Sequence, residues 1–160
     1  MACNCRRGNR RQNTVTVRNL NQNIFIPSTI EIINSGNQII NQGEEIIFPE
    51  TIYNTGISYS PRSDNFGVDI VATGVYKITF QGNVTVSENQ TIGVAISLNG
   101  EPLPQSEILQ YVTTAGPEAV TTTVISKVLS PSADIGVINA GENTFSVSNA
   151  KLEIVRIGNF

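Results

Sequence analysis

The 160-residue chain is 39 % hydrophobic and 14 % charged, which fits one domain able to bury roughly 70 % of its unfolded surface and excludes a disordered chain. It has no histidine and no tryptophan, so serine–histidine triads, histidine zinc sites and haem ligation are out, and an enzyme is not expected. The net charge of −3 joins two unlike parts. Arg6, Arg7, Arg10, Arg11 and Arg18 fall in the first 18 residues, which hold no acid, while the remainder sets five basic residues against all 13 acidic ones.

In chain order, residues 1–18 read as a basic arm. Such an arm on an acidic body can dock on a second copy of that body, attach to an anionic surface, or stay solvated. Nucleic acid is not expected as a partner, because the body is acidic and no aromatic residue precedes Phe25. Cys3 and Cys5 are the chain's only cysteines and stand too close for an unstrained internal bridge. Three readings stay open for them: free thiols, disulfides between subunits, or half of a metal site shared between chains. The arginines are not followed by an apolar stretch, so the start is not a secretory or twin-arginine signal. The longest apolar runs, such as Ile46-Ile47-Phe48, are far short of the roughly 20 residues of a spanning helix, and membrane insertion is not expected.

Residues 14–48, which include the segment 19–45, carry a weak period of seven: Ile32-Ile33, Ile39-Ile40 and Ile46-Ile47, with Gly36 and Gly43 also seven apart. A coiled coil would place asparagine and glycine inside a helix at about 0.7–1 kcal/mol each. The spacing instead predicts short strands with turns at Gly36 and Gly43, either leading into a sandwich or forming a small stalk. From residue 46 to 160 the pattern is β throughout, rich in isoleucine, valine and threonine with glycine or proline at short intervals. Strands are predicted over 75–80, 91–98, 119–129, 134–138 and 150–157. Asn99-Gly100 is a hairpin turn, followed by a loop at Pro102 and Pro104. No apolar period of 3.6 persists over three turns, so no helix of consequence is predicted. Glu44-Glu45 and Asp64/Asp69 are the nearest approach to carboxylate pairs; without histidine they read as solvated turn residues, and no cofactor is expected.

The segments Thr55-Gly56-Ile57-Ser58-Tyr59, Phe66-Gly67-Val68-Asp69-Ile70, Thr73-Gly74-Val75-Tyr76-Lys77-Ile78-Thr79-Phe80 and Val94-Ala95-Ile96-Ser97-Leu98-Asn99-Gly100 resemble the C1q/TNF-like jelly-roll family. The likeness is to its bacterial branch, which includes the C-terminal domain of the exosporium collagen-like glycoprotein. The fold expected is thus all-β, an antiparallel jelly-roll sandwich behind an extended N-terminal arm. The resemblance implies ten strands and a homotrimer, with Tyr76, Phe80 and Phe145 in the core or at the trimer contact. The Gly-X-Y repeats and targeting segment of exosporium proteins are missing. The arm loosely resembles the cysteine-bearing connectors of spore-appendage subunits. The function expected is a self-assembling structural protein of a bacterial spore surface or extracellular fibre. In it, Cys3 and Cys5 form intersubunit disulfides, while Arg6, Arg7, Arg10, Arg11, Val15, Val17 and Arg18 dock on a neighbour. Its partners would be other copies and a spore-coat or surface component. The alternative is a trimeric adhesin or lectin-like module binding through the loops at Pro102-Leu103-Pro104 and Gly116-Pro117.

Overall fold

A computed structural model of the chain describes residues 25–159. The strands, in order, are β1 (Ser28–Ile40), β2 (Glu50–Thr55), β3 (Tyr59–Pro61), β4 (Gly67–Ile70), β5 (Gly74–Val86), β6 (Gln90–Leu98), β7 (Glu101–Pro102), β8 (Ile108–Val112), β9 (Gly116–Val128), β10 (Ala133–Asn139) and β11 (Phe145–Gly158). One sheet runs β2-β1-β11-β5-β9 and the other β3-β4-β10-β6-β7, with β8 also paired to β6; every pairing is antiparallel. Strands β7 and β8 together make one interrupted edge strand along β6. A single 3-10 turn, Pro104–Ser106, separates them. The buried Ser106 hydroxyl fills the gap in the ladder: its Oγ accepts the Ile96 N–H at 2.9 Å and lies 2.7 Å from the Leu103 carbonyl.

Alternation at period two produces the core. On β5, Tyr76, Ile78, Phe80, Val84 and Val86 point inward and are buried, while Lys77 and Gln81 point out. They meet Ile92, Val94 and Ile96 of β6 and Ile135 and Val137 of β10 across the gap. Tyr76, Phe80 and Phe145 are all buried between the sheets of a single chain, so their rings are not on an outer face. The β6–β7 turn has positive φ at both Asn99 (54°) and Gly100 (77°), as a two-residue primed hairpin turn requires.

The expected boundary at residue 46 is corrected. Residues 28–40 form one 13-residue interior strand of the five-stranded sheet, second from its edge, bonded to β11 on one side and β2 on the other. They are neither a stalk nor separate strands. Gly36 does not turn the chain. It sits in a bulge between Asn34 and Asn37, where the Asn34 Oδ1 accepts the Gly36 N–H at 2.8 Å; Gly43 does lie in a turn, at φ 77°. The period of seven also finds its cause here. Each isoleucine pair puts one side chain in the core and the next outside: Ile40 and Ile46 are buried, Ile39 and Ile47 exposed.

Tyr59 and Tyr76 meet edge to face at 6.0 Å between ring centroids. The Tyr59 phenol donates to the Ser28 carbonyl at 2.9 Å, and burial pushes its pKa up to about 12. The folded chain therefore holds a proton that the unfolded chain loses above about pH 10. Stability is expected to be intact below pH 10 and to fall on the order of 2 kcal/mol between pH 10 and 12. Urea melts across that range check this, and Tyr59→Phe should flatten part of the slope.

Candidate self-association site

The outer face of the five-stranded sheet is built from the residues that alternate with the core. Cross-strand registers align Glu31, Glu153, Thr79 and Thr123 in one rung, with Ile33, Lys151, Gln81 and Thr121 in the next and Thr29, Val155, Lys77 and Ile125 on the other side. Eight of these twelve are neutral, and the four charged ones, Glu31 and Glu153 against Lys77 and Lys151, cancel, so the face is broad with no net charge. Glu31 and Glu153 stand directly opposite each other, a like-charge pair that needs compensation. Lys151 Nζ lies 3.4 Å from Glu31 Oε2, and the Tyr53 hydroxyl donates to Glu153 Oε1 at 3.2 Å. Desolvation and the two carboxylates push the Tyr53 phenol up, keeping it a neutral donor. Thr79 and Thr123 hydroxyls pair at 3.1 Å. Ile125 is 63 % exposed at this face, uncovered by any of the described residues.

On the outer face of the other sheet, Arg62 gathers carboxylates. Its guanidinium lies 3.3 Å from Glu45, 2.7 Å from Asp64 and 3.7 Å from Asp134. The backbone N–H of Phe66, then Arg62, hold the Asp64 carboxyl below its ordinary range. Glu45 is thus not the solvated turn residue expected. It bridges to Ile138 on β10, and its Oε1 accepts from the Ser97 hydroxyl at 3.3 Å. Asp69 likewise lies within β4. Gly136 makes room for this carboxylate: a Cβ there would stand 2.6 Å from Glu45 Oε1.

The two ends of the sandwich differ. At the end where Ser28 begins β1, Phe25 lies under the Arg156 guanidinium, 5.8 Å from its ring centroid, and exposed Ile57, Val71, Leu129 and Ile157 crowd the loops. At the opposite end, the residue 41–45 turn runs along β10, with Gly43 N–H bonded to the Asn139 carbonyl and Asn139 N–H to the Glu44 carbonyl. A groove of about 440 Å³ opens there, lined by Gln38, Ile39, Glu44, Ile47 and Phe66 among others. The Gln38 amide holds it in shape by bonding both backbone groups of Ile47, at 2.9 and 3.0 Å. Nothing in the sequence pattern singles out this groove, because it forms only when the crossing from β1 to β2 folds over the second sheet.

Cys3, Cys5, Arg6, Arg7, Arg10, Arg11, Val15, Val17 and Arg18 lie outside the described residues. The two expected recognition loops do not meet: Pro102 pairs with Ser97 near one end of the sandwich, and Gly116 with Val86 at the other. Among the described residues no group of three His, Cys, Asp or Glu side chains is placed to hold a metal ion.

Comparison with family models finds no match, and comparison with curated proteins finds none either. Among solved structures, the chain is similar to murine APRIL at pH 5.0, with TM-score 0.61 and 14 % identity over 82 % of this chain and 100 % of that one. It is similar to the globular domain of zebrafish complement 1qA, with TM-score 0.60 and 7 % identity over 82 % and 98 %. It is also similar to the Eiger TNF of S. frugiperda, with TM-score 0.60 and 16 % identity over 85 % and 94 %. At these identities the likeness is one of fold.

Proposed function

We propose that this C1q/TNF-like jelly roll is a non-catalytic structural subunit that packs as a homotrimer and joins neighbouring trimers through residues 1–18. The observation that carries the reading is the charge division: five arginines and no acid in the arm, against five basic and 13 acidic residues in the rest. The broad, net-neutral outer face of the five-stranded sheet supports packing around a closed axis, where unpaired faces and edges are covered. Charge steers the arm to an adjacent body, and alternating Val15 and Val17 suit an extended segment laid on that body. Cys3 and Cys5 then make the linkage permanent under oxidising conditions. The setting is a bacterial spore surface or an extracellular fibre, with a coat or surface component as a further partner.

Light scattering of the full chain with and without reductant tests the reading. A very large species is expected that falls toward about three chains on reduction at high salt, where charge pairing is screened, or on deleting residues 1–18. A sharp trimer under all conditions would remove the connector role and transfer the reading to a trimeric binding module. Polymers that survive the deletion would show that the arm is not the connector.

A further inference from the structure

The end of the sandwich that carries the groove is also its acidic end. Glu88 lies in the β5–β6 turn, Glu118 two residues into β9, and Glu142 in the β10–β11 loop, and all three share this end with Glu44. No described lysine or arginine projects from those loops. The nearest, Arg62, is occupied by Glu45 and Asp64. Among the described residues Glu44, unlike Glu45, has no cation beside it. Its carboxylate accepts from the Asn41 backbone N–H at 2.9 Å and the Asn41 side-chain amide at 3.1 Å. Ile39 is 70 % and Ile47 38 % exposed beside it. The result is a preformed apolar trough with a negative rim.

The arm starts from the other end. Phe25 is anchored near Arg156, opposite the groove, and 24 residues precede it. Extended, these reach about 80 Å, against about 43 Å for a 13-residue strand such as β1. The reach is ample for spanning into a neighbour placed end to end.

We propose that the groove between Ile39 and Ile47 is the receiving site for the arm of a second copy, so that trimers stack head to tail. Val15 and Val17 share one side of an extended segment and match the apolar trough. Arg10, Arg11 and Arg18 flank them and meet Glu44 and the other carboxylates of the acidic end. Because donor and receiver lie at opposite ends of one chain, the contact is heterologous and does not close on itself, which makes an open polar fibre. The inference rests on the connector reading above and specifies where the connector lands.

The test uses the full-length chain carrying Ile39→Ser and Glu44→Lys, two exposed positions. Because Glu44 accepts two hydrogen bonds from Asn41, the thermal midpoint is measured beside the mass to show that the sandwich is intact. With reductant present, at low salt, the wild-type chain is expected to show stacking that falls to about three chains in this double variant. Unchanged wild-type mass would overturn the groove assignment while leaving the connector reading intact. That reading fails separately if the chain lacking residues 1–18 still polymerises. A mixing experiment adds a positive signal. The groove variant still has its arm, and the arm-deleted chain still has its groove. Together they are expected to form a discrete species of about six chains, weakening as salt rises. A mixture that keeps the masses of its components would overturn the inference.

Discussion

Phe80→Ala is expected to lower the stability of the fold by about 3–5 kcal/mol, a large fraction of the 5–15 kcal/mol typical of a domain. The ring is fully buried on β5, near the centre of the five-stranded sheet, with Leu152 opposite it on β11 and Thr122 on β9. Its position also explains a glycine. Gly82 is the next inward position on the same strand, and a Cβ there would stand 3.0 Å from Phe80 Cζ and 3.2 Å from Val147 Cγ2. The phenyl ring occupies the space a side chain at 82 would need. Gly82→Ala alone is therefore expected to cost about 1 kcal/mol through overpacking. In the Phe80→Ala background the same change has room, and it should raise stability by partly refilling the cavity. Urea melts at one protein concentration, followed by circular dichroism, give the four corners of the cycle. Additive costs would show that the ring and the missing side chain do not compete for one space.

Phe80 belongs to the part of the fold that the sequence makes legible. Strands β5, β9 and most of β11 alternate, while β6 and β10 read as short apolar runs buried on both sides. All five overlap the predicted spans, although β5 runs six residues further and β11 starts five earlier. Strand β1 is harder because Asn34, Ser35, Gly36 and Asn37 read locally as a turn. A bulge absorbs them instead, with the Asn34 side chain supplying the local hydrogen bond and the partner strand β11 holding the register on both sides. Long-range pairing overrides local turn chemistry there, as it often does in sheets. Strand β8 went unpredicted for a related reason. Its Leu109, Gln110 and Tyr111 are all exposed, so it lacks a clean alternation.

The candidate site divides in the same way. Charge makes the arm visible in the sequence, since five arginines without an acid need no fold to be recognised. The groove is assembled from residues 38–47 and Phe66, which approach only through the crossover between sheets. Glu44 and Glu45 are adjacent in sequence and opposite in fate: one faces solvent at the groove rim, the other is held by Arg62 and Ser97 over the sheet. Strand alternation decides which is which, and it cannot be applied until the pairing of this turn with β10 is known.

Asn139→Ala is expected to cost about 3 kcal/mol and to loosen the acidic end before the rest of the sandwich. Asn139 closes β10 and is 1 % exposed. Its Nδ2 donates to the Ile40 carbonyl at 3.1 Å and to the Asn143 carbonyl at 2.9 Å, and its Oδ1 accepts the Gly141 N–H at 3.0 Å. One amide thus ties the end of β1 to the β10–β11 loop, while its backbone ties both to the residue 43–44 turn. Alanine leaves the backbone bonds in place and strands three polar groups, at least two of them away from water, where each lost partner costs about 1–3 kcal/mol. The loop has little freedom to recover them, because Gly141 packs against Gly93 on β6 so closely that neither position accepts a side chain without displacement. Amide hydrogen exchange should therefore rise at residues 41–46 and 140–144 while β5 and β11 stay protected near their global level. If the groove receives the arm, stacking of the full chain should weaken in this variant at temperatures where the trimer is intact. Uniform loss of protection across both sheets would instead show that Asn139 supports the sandwich as a whole rather than its receiving end.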